Sequence, residues 1–267
     1  MNISTDFVNI YKENLKKINE YNRIVRHIEH LRKRVERKQI IATEEVVALI
    51  EKEHLELEDE YSCKKDKIYN FSNGDKYIGK IEKNELQGIG TYIMYDGEEI
   101  IMDYMGEFNN NIRDGVGECI LPNGNIYLGE FKEDLMNGIG KMIYKNGDEY
   151  IGQWINGKKD GIGVFTWSDN TRYNGEFKEN KMCGQGQCFD QQGNLIYEGQ
   201  WKNNCIHGFG KYIWGEGKVY EGEFIRGKKH GKGTFYLNDE LIYEGTWKFD
   251  KPSVFGRSLE ELFCVKI

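Results

Sequence analysis

One pattern recurs along this sequence at a spacing of about 23 residues, and that spacing limits the fold more than any other feature. Each copy opens with tyrosine, any residue, glycine, a polar residue and a large apolar residue, and Gly-x-Gly follows seven residues later. A unit this short cannot bury a core alone, so we expect an array in which each repeat packs on its neighbours. The steps between the opening tyrosines are 27, 23, 23, 23, 24, 23 and 23 residues, and these tyrosines are Tyr77, Tyr104, Tyr127, Tyr150, Tyr173, Tyr197, Tyr220 and Tyr243.

The glycines mark a boundary between regions of different composition. All 32 lie at or after Gly74, and the first 73 residues contain none. We therefore divide the chain into a helical or coiled-coil region at 1–66, a repeat array at 67–250 and a short amphipathic segment at 251–267. The array carries 21 Lys and Arg against 28 Asp and Glu, a net charge of −7. This excess of negative charge disfavours binding to the phosphate backbone of nucleic acids.

Apolar and polar residues alternate within each repeat, which predicts β-strands. Tyr127–Phe131 and Gly138–Tyr144 are the two strands of one copy, joined by a polar loop at Lys132–Asn137. Asn-Gly dipeptides follow the second strand, as at Asn123-Gly124 and Asn146-Gly147, and predict turns in which both central residues have positive φ. Each repeat is thus predicted to be a β-hairpin, and consecutive hairpins are predicted to pair into one long antiparallel sheet.

The glycines are explained by the aromatic residues beside them. A ring that lies flat on a sheet needs a neighbour without a side chain, and the Gly-x-Gly strand supplies it. We predict an aromatic ladder along one face, with a mainly structural role. The same residues are our candidates for a partner-binding groove: Tyr104, Phe108, Tyr127, Phe131, Tyr150, Trp154, Tyr173, Phe177, Tyr197, Trp201, Tyr220 and Phe224.

The repeated pattern resembles the MORN repeat (membrane occupation and recognition nexus) over residues 67–250. The resemblance implies a rod or groove of stacked β-hairpins. The expected fold is therefore mainly β with N-terminal α, an elongated single-layer antiparallel sheet preceded by a helical hairpin or coiled coil. The first copy has Ile81 in place of the aromatic residue, and the last copy, Tyr243–Trp247, stops after its first strand. Atypical end units of this kind are expected to cap the array.

Residues 6–38 are predicted to form one amphipathic helix, about 50 Å long at ~1.5 Å per residue. The basic second half of this helix suits a membrane surface or calmodulin, but we favour packing on a partner helix. A second helix is predicted from Thr43 to Glu58, and a helical hairpin and a coiled coil both fit. We expect residues 1–66 to project as a separate docking module, because a basic helix on the sheet would block the acidic groove. The apolar stripe of the first helix consists of Tyr11, Leu15, Ile18, Tyr21, Val25, Ile28, Leu31 and Val35.

The C-terminal end of the array has two expected outcomes. Ser258-Leu259-Glu260-Glu261 is a capping box that opens a short apolar segment. The strand around Tyr243–Trp247 leaves an open sheet edge beside it, which is a template for another chain. This end either closes the sheet itself or forms a homodimer, and the family resemblance favours the homodimer.

We find no catalytic or metal-binding pattern in the sequence. Gly-x-Ser-x-Gly, His-Glu-x-x-His and a phosphate loop are missing. Gly215–Lys218 and Gly231–Thr234 look like nucleotide-binding sequences, but they fall on repeat positions. The six cysteines match no zinc spacing, and His27 and His30 lie one helical turn apart without a third ligand in view. We expect no enzymatic activity, no cofactor and no metal, and we expect a cytoplasmic protein because no signal peptide or membrane span is recognised.

Two classes of function remain. The favoured one is a protein–protein scaffold that binds partners along the acidic, aromatic-lined sheet and through the N-terminal helices. The resemblance implies attachment to cytoskeletal or ciliary structures. The alternative is a membrane adaptor, which the negative charge of the array disfavours because each surface cation contributes only about 1 kcal/mol. The adaptor would bind anionic phospholipid through the basic helix and through Lys158, Lys159, Arg226, Lys228 and Lys229.

Overall fold

The computed structural model describes residues 67–97 and 99–253, and the regular secondary structure of these residues is β-strand. They divide into two compact units, one ending at Lys158 and the other beginning at Lys159. The first unit contains β1 (Lys67–Asn70), β2 (Lys76–Glu82), β3 (Glu85–Asp96), β4 (Glu99–Asn109), β5 (Ile112–Ile120), β6 (Ile126–Lys132), β7 (Leu135–Ile143) and β8 (Glu149–Ile155). The second unit begins at the second residue of β9 (Lys158–Thr166). It also contains β10 (Arg172–Lys178), β11 (Lys181–Phe189), β12 (Leu195–Lys202), β13 (Cys205–Ile213), β14 (Lys218–Ile225), β15 (Lys228–Leu237), β16 (Glu240–Lys248) and β17 (Lys251–Pro252).

Within each unit, every strand pairs antiparallel with the next strand in the sequence. The repeat fixes the register, because the glycines of neighbouring strands face each other. Gly129 pairs with Gly140, and Gly140 pairs in turn with Gly152. The predicted antiparallel sheet of hairpins is confirmed, with 17 strands in the described residues.

The turns differ from the sequence prediction. The predicted polar loop at Lys132–Asn137 is wrong: β6 continues to Lys132, β7 begins at Leu135, and only Glu133 and Asp134 connect them. Their φ values are 51° and 64°, so this two-residue turn has the mirror-image geometry that suits twisted strands. The same kind of turn closes each repeat hairpin, whereas the sequence predicts it at the other end of the hairpin.

The Asn-Gly turns are longer than predicted. After β7 the Tyr144 N–H donates to the Asp148 carbonyl and the Gly147 N–H donates to the Tyr144 carbonyl, both at 2.9 Å. Gly147 has a φ of 89°, whereas Asn146 does not have a positive φ. The expectation of two positive φ values here is therefore wrong, because a type I turn followed by a left-handed glycine replaces the two-residue turn.

The end of β16 is partly covered. β17 pairs with β16 at Trp247 and Lys248, and the Ser253 N–H donates to the Thr246 carbonyl at 2.8 Å. An open edge along Tyr243–Trp247 is expected from the sequence. In the structure, the part of that edge from Thr246 onward has a pairing segment.

Side chains alternate between the two faces of each unit. One face, the tyrosine face, carries the opening tyrosine, the glycine two residues after it and the large apolar residue of each repeat. The residues between these positions form the other face, called the opposite face. The opening tyrosines from Tyr77 to Tyr220 are 0% exposed, so the core lies on the tyrosine face.

The predicted helices at 6–38 and 43–58 lie outside the described residues. So do the coiled coil, the capping box at Ser258 and the apolar tail that follows it. These features stay predictions from the sequence.

Candidate functional site

Each opening tyrosine packs against the glycine backbone of its own hairpin. The phenol of Tyr127 lies over Gly129 and Gly140, and a Cβ atom added at either glycine would come closer than 3 Å to its hydroxyl oxygen. The buried hydroxyl donates to the Glu130 carbonyl at 2.9 Å, so the phenol keeps a hydrogen bond in the core. Burial raises the pKa of the Tyr127 phenol. The same bond to the carbonyl three residues on is made by Tyr77, Tyr104, Tyr150, Tyr173, Tyr197, Tyr220 and Tyr243.

The large apolar residue of each repeat joins successive tyrosines into a lattice. Phe131 meets Tyr104 and Tyr127 edge to face, with both ring centroids at 5.1 Å. In the second unit, Phe224 lies in the same way between Tyr197 at 5.7 Å and Tyr220 at 5.1 Å. Such pairs add about 0.5–1.5 kcal/mol each to the burial of the rings. The lattice therefore holds neighbouring repeats together.

The twelve residues proposed from the sequence as a partner-binding groove all belong to these lattices. Trp201 is half-buried, and the other eleven are no more than 6% exposed. The structure thus brings the predicted residues together, but as the core of each unit. A partner that leaves the lattice intact has to bind elsewhere, and the rings then act by holding the sheet in shape.

The first glycine of Gly-x-Gly serves a different purpose from the second. Gly138 has a φ of 72° and lies beneath the Glu130 carboxylate, away from any ring. Glu130 Oε1 accepts the Ile139 N–H at 3.1 Å. The expectation that both glycines admit rings is therefore wrong for the first one. The available sequence signal was the acidic or amide residue nine positions before the bonded N–H, which recurs as Glu107, Glu176, Gln200 and Glu223.

Several cations pack on the aromatic lattice. The Arg113 guanidinium lies 5.2 Å from the Phe131 ring centre, and the Lys159 ammonium lies 4.5 Å from that of Phe165. Lys229 is 7% exposed, and its ammonium lies 4.8 Å from the Trp247 ring centre. Burial lowers the pKa of Lys229, although the nearby Asp250 carboxylate acts in the opposite direction.

This packing changes the set of cations proposed for lipid binding. Lys158, Arg226 and Lys228 are exposed, as a lipid contact requires. Lys159 is half-buried against its ring, and Lys229 is enclosed. A buried ammonium held over rings cannot reach a phosphate, so Lys229 does not belong to a surface lipid site.

The opposite face differs in chemistry between the two units. In the first unit its central positions are apolar, being occupied by Ile78, Ile89, Met105, Val116, Leu128, Ile139 and Ile151. In the second unit, the matching positions are mostly polar, being occupied by Ile162, Asn174, Gln185, Glu198, Phe209, Glu221, Lys232 and Glu244. This contrast was not predicted from the sequence, although it is visible in the residue types at these positions.

The polar part of this face in the second unit forms an open groove of about 760 Å³. Its floor is the backbone of Gly186, Gly199 and Gly210. Across the groove, Lys211 Nζ pairs with Glu221 Oε1 at 2.7 Å, and this hydrogen bond raises the pKa of Lys211. The polar side chains that line it are Asn174, Gln185, Gln187, Glu198, Gln200, Lys211 and Glu221.

Phe209 also lines this groove, and its side chain is 61% exposed. It stands between Gly208 and Gly210, and its backbone N–H donates to Gln200 Oε1 at 2.8 Å. The strand beneath the ring is thus fixed while the ring itself meets solvent. The groove presents one aromatic group surrounded by hydrogen-bonding side chains.

The described residues gather no group of three or more His, Cys, Asp or Glu side chains that could hold a metal ion. Burial raises the pKa of the Cys188 thiol to about 12 and also raises that of Cys119. These thiols are therefore protonated near neutral pH. The described residues, 67–97 and 99–253, contain no helix that is long and apolar enough to cross a membrane.

A protein-family comparison matches the repeats individually. The family model described as the MORN repeat matches residues 77–99, 104–126, 127–149, 150–172, 173–194, 197–219, 220–240 and 243–258. No curated protein matches the chain.

Three solved structures show weak similarity. The TCP10 domain of Danio rerio CPAP in complex with a STIL peptide is 11% identical, with 68% of this chain and 100% of that chain covered and a TM-score of 0.21. The SAS-4 TCP domain of Drosophila melanogaster with a proline-rich motif of Ana2 is 13% identical, with 73% and 97% covered and a TM-score of 0.25. A streptogramin B lyase is 11% identical, with 68% of each chain covered and a TM-score of 0.15. Superpositions of this quality do not define a shared binding mode.

Proposed function

Since the chain belongs to the MORN-repeat family, a family of repeat interaction modules, we propose that it is a non-catalytic protein–protein scaffold. The partner-binding site is the groove on the opposite face of the second unit. The observation that carries this proposal is the exposed ring of Phe209 within a polar groove.

The groove has the composition of a protein-binding site. Binding energy at such sites is concentrated in a few aromatic or arginine side chains surrounded by polar groups that exclude water. Phe209 supplies an aromatic surface that solvent hydrates poorly, while Gln185 and Gln187 offer donors and acceptors to a partner backbone. The glycine floor allows that backbone to approach closely.

The charge of the groove limits the partner. Glu198 and Glu221 are both half-buried in it, and Lys211 pairs with Glu221. A segment with an apolar side chain for Phe209 and amide groups for the glutamines fits this surface. A strongly acidic segment does not fit, because its carboxylates would lie against Glu198 and Glu221.

Photo-crosslinking in cells tests the proposal. p-Benzoylphenylalanine at Gln187, in the groove, should give a discrete adduct that mass spectrometry identifies, whereas the same group at Gln191, in an exposed turn, should not. Phe209→Asp should abolish the adduct. Phe249→Asp is the matched control, since Phe249 is 51% exposed but does not line the groove. Equal adducts from both positions, or an adduct that survives Phe209→Asp, would refute a groove centred on this ring.

The cellular setting of the scaffold is a separate proposal that rests on the family resemblance. We propose attachment to a cytoskeletal or ciliary structure. Fluorescence imaging of the tagged chain beside a tubulin marker tests it, and an even distribution that detergent extraction removes would contradict it.

The membrane-adaptor alternative depends on the exposed cations Lys158, Arg226 and Lys228. It is weakened because Lys229 is enclosed by rings and Lys159 packs on Phe165. Co-sedimentation with vesicles containing phosphatidylserine separates the two functions. The adaptor would be supported by salt-sensitive binding that is lost in the double variant Arg226→Glu and Lys228→Glu. Absence of vesicle binding would favour the scaffold function.

A further inference from the structure

We infer that the opposite face of the first unit docks an amphipathic helix of a second protein, with Lys or Arg beside the apolar stripe of that helix. The inference starts from aliphatic side chains that meet solvent. Ile89, Ile112, Leu135 and Ile155 lie on this face, and they are 48%, 39%, 46% and 49% exposed. Exposed apolar patches mark sites where a protein or a membrane binds.

The apolar residues of this face continue from strand to strand. The central glycines of β2 to β8 pair with one another across the sheet, and each is preceded by an apolar residue on the opposite face. Seven strands at ~4.8 Å spacing give a stripe about 29 Å long, which matches a helix of about 20 residues. The residues of the stripe are Ile78, Ile89, Met105, Val116, Leu128, Ile139 and Ile151.

A helix suits this stripe better than an extended segment does. Each strand from β3 to β7 pairs with a neighbour on both sides, so its backbone groups already have partners. An extended segment lying over the face would remove its own backbone groups from water without gaining hydrogen bonds. A helix pairs those groups internally and presents an apolar stripe of its own. Helix on sheet is also a stable layer arrangement.

Carboxylates beside the stripe define the charge of the partner. Glu107, Glu118 and Glu130 lie on the opposite face of β4, β5 and β6, each directly across from an apolar residue of a neighbouring strand. Two of them are fixed, because Glu107 accepts the Val116 N–H at 3.0 Å and Glu130 accepts the Ile139 N–H at 3.1 Å. A helix with basic residues beside its apolar stripe complements these charges, whereas an acidic helix is repelled.

The same charges argue against two other occupants. A second copy docked through this face would bring carboxylates against carboxylates, and anionic phospholipid would meet them as well. Lys141 lies on this face, but its pairing with Glu149 at 2.9 Å offsets its charge. The stripe differs from the groove around Phe209, where polar side chains predominate. The inference therefore adds a second partner of different chemistry to the scaffold and does not depend on the first.

Model peptides test the inference with the full-length chain. Two labelled helical peptides of about 20 residues share one amphipathic period, and their polar positions are Lys in one and Glu in the other. In fluorescence anisotropy, the Leu–Lys peptide should bind and the Leu–Glu peptide should not. Leu128→Glu should weaken binding at least about tenfold, because a buried leucine contributes that much. The second unit has Glu198 at this repeat position, so the sheet accepts the substitution.

Lys232→Gln is the matched control, because it makes the net charge more negative by the same amount as Leu128→Glu but lies in the second unit. It should not weaken binding. Ile139→Gln, which copies Gln185 of the second unit, should weaken binding with no change of charge. If Leu128→Glu binds the peptide as tightly as Lys232→Gln does, attraction is by charge alone and the stripe is not a docking surface.

Three other results would also overturn the inference. These are the absence of Leu–Lys binding, equal binding of both peptides, and loss of binding in Phe209→Asp. The last result would place the peptide in the groove of the second unit. Otherwise Phe209→Asp should leave the affinity for the Leu–Lys peptide unchanged. The stripe and the groove are thus tested by different substitutions, so that failure of one proposal is distinguished from failure of the other.

Discussion

Gly140→Ala tests whether the ring of Tyr127 requires bare backbone beneath it. A Cβ atom at Gly140 would lie closer than 3 Å to the hydroxyl oxygen and to two carbons of that ring. The ring has little room to move, because the centroids of Phe131 and Trp154 lie 5.1 and 5.3 Å away, edge to face. Its hydroxyl is also held by the Glu130 carbonyl at 2.9 Å. The added methyl group therefore has to displace either the lattice or the strand.

The expected loss of stability follows from three effects. Overpacking a closed core costs about 1–3 kcal/mol. Moving the Tyr127 ring off its hydrogen bond costs roughly 1 kcal/mol more. Alanine also restricts the unfolded chain, which stabilises the fold by about 0.4–1 kcal/mol. Gly140 does not have a positive φ, so backbone strain does not contribute. The sum is a net destabilisation of about 1–4 kcal/mol.

Gly215→Ala is the matched control for this substitution. A Cβ atom at Gly215 meets nothing within 4 Å, and Gly215 also lacks a positive φ. Only the unfolded-state effect remains, so the control should be neutral or slightly more stable. Urea unfolding followed by tryptophan fluorescence and circular dichroism gives the two midpoints. If Gly140→Ala unfolds at the same urea concentration as Gly215→Ala, the ring does not need the glycine and the lattice explanation fails.

Three further predictions concern the bond from the Glu130 side chain to the Ile139 N–H, the pH dependence of stability, and assembly. Glu130→Ala should destabilise the fold by about 1–3 kcal/mol in urea unfolding, because it leaves the Ile139 N–H unpaired. Glu130→Gln should be nearly neutral, because Gln200 accepts the equivalent Phe209 N–H at 2.8 Å in another repeat. Equal losses from the two variants would contradict a role for this hydrogen bond. The contribution of the buried tyrosines to stability should be constant below about pH 10. It should fall above that pH in pH-dependent thermal melts, because unfolded tyrosines lose their protons there while the buried ones, such as Tyr127 with its raised pKa, keep theirs. A melting temperature that stays unchanged from about pH 10 to about pH 11 would contradict this. Light scattering should show a dimer for the full chain and a monomer for a truncation after Lys251, and two monomers would exclude the tail-to-tail dimer.

The sequence was sufficient to predict the sheet because its signals are local and repeated. Alternation predicted the strands, and the period predicted how they pair. The pairing of tyrosine with glycine was also predicted correctly for Gly129 and Gly140, because a ring and a missing side chain on adjacent strands are complementary. The turns were not predicted, since Glu133-Asp134 lacks the Asn-Gly signature of a two-residue turn.

The stabilisation of these turns is not a local property. Asp134 Oδ1 accepts the Arg113 N–H at 2.9 Å, 21 residues earlier in the chain. Asn180 accepts from Lys159 in the same way at 2.8 Å. The turns that carry asparagine or aspartate at this position are thus held by the preceding repeat, and these residues are suited to it because both tolerate positive φ. A reading of single hairpins misses this bond, although the recurrence of Asn or Asp at this position was visible.

The candidate residues named from the sequence form the core of each unit for a physical reason. Aromatic residues are the strongest signal in each repeat, and a pattern cannot tell whether a ring is buried by its neighbours or open to a partner. The lattice needs the same residues in every repeat, so those residues cannot distinguish one binding surface from another. The opposite face is under no such restriction: Leu128 and Glu198 occupy the same repeat position in the two units, beside the same tyrosine and glycine. This is why we propose that specific recognition comes from the opposite face, where the chain changes chemistry without disturbing its core.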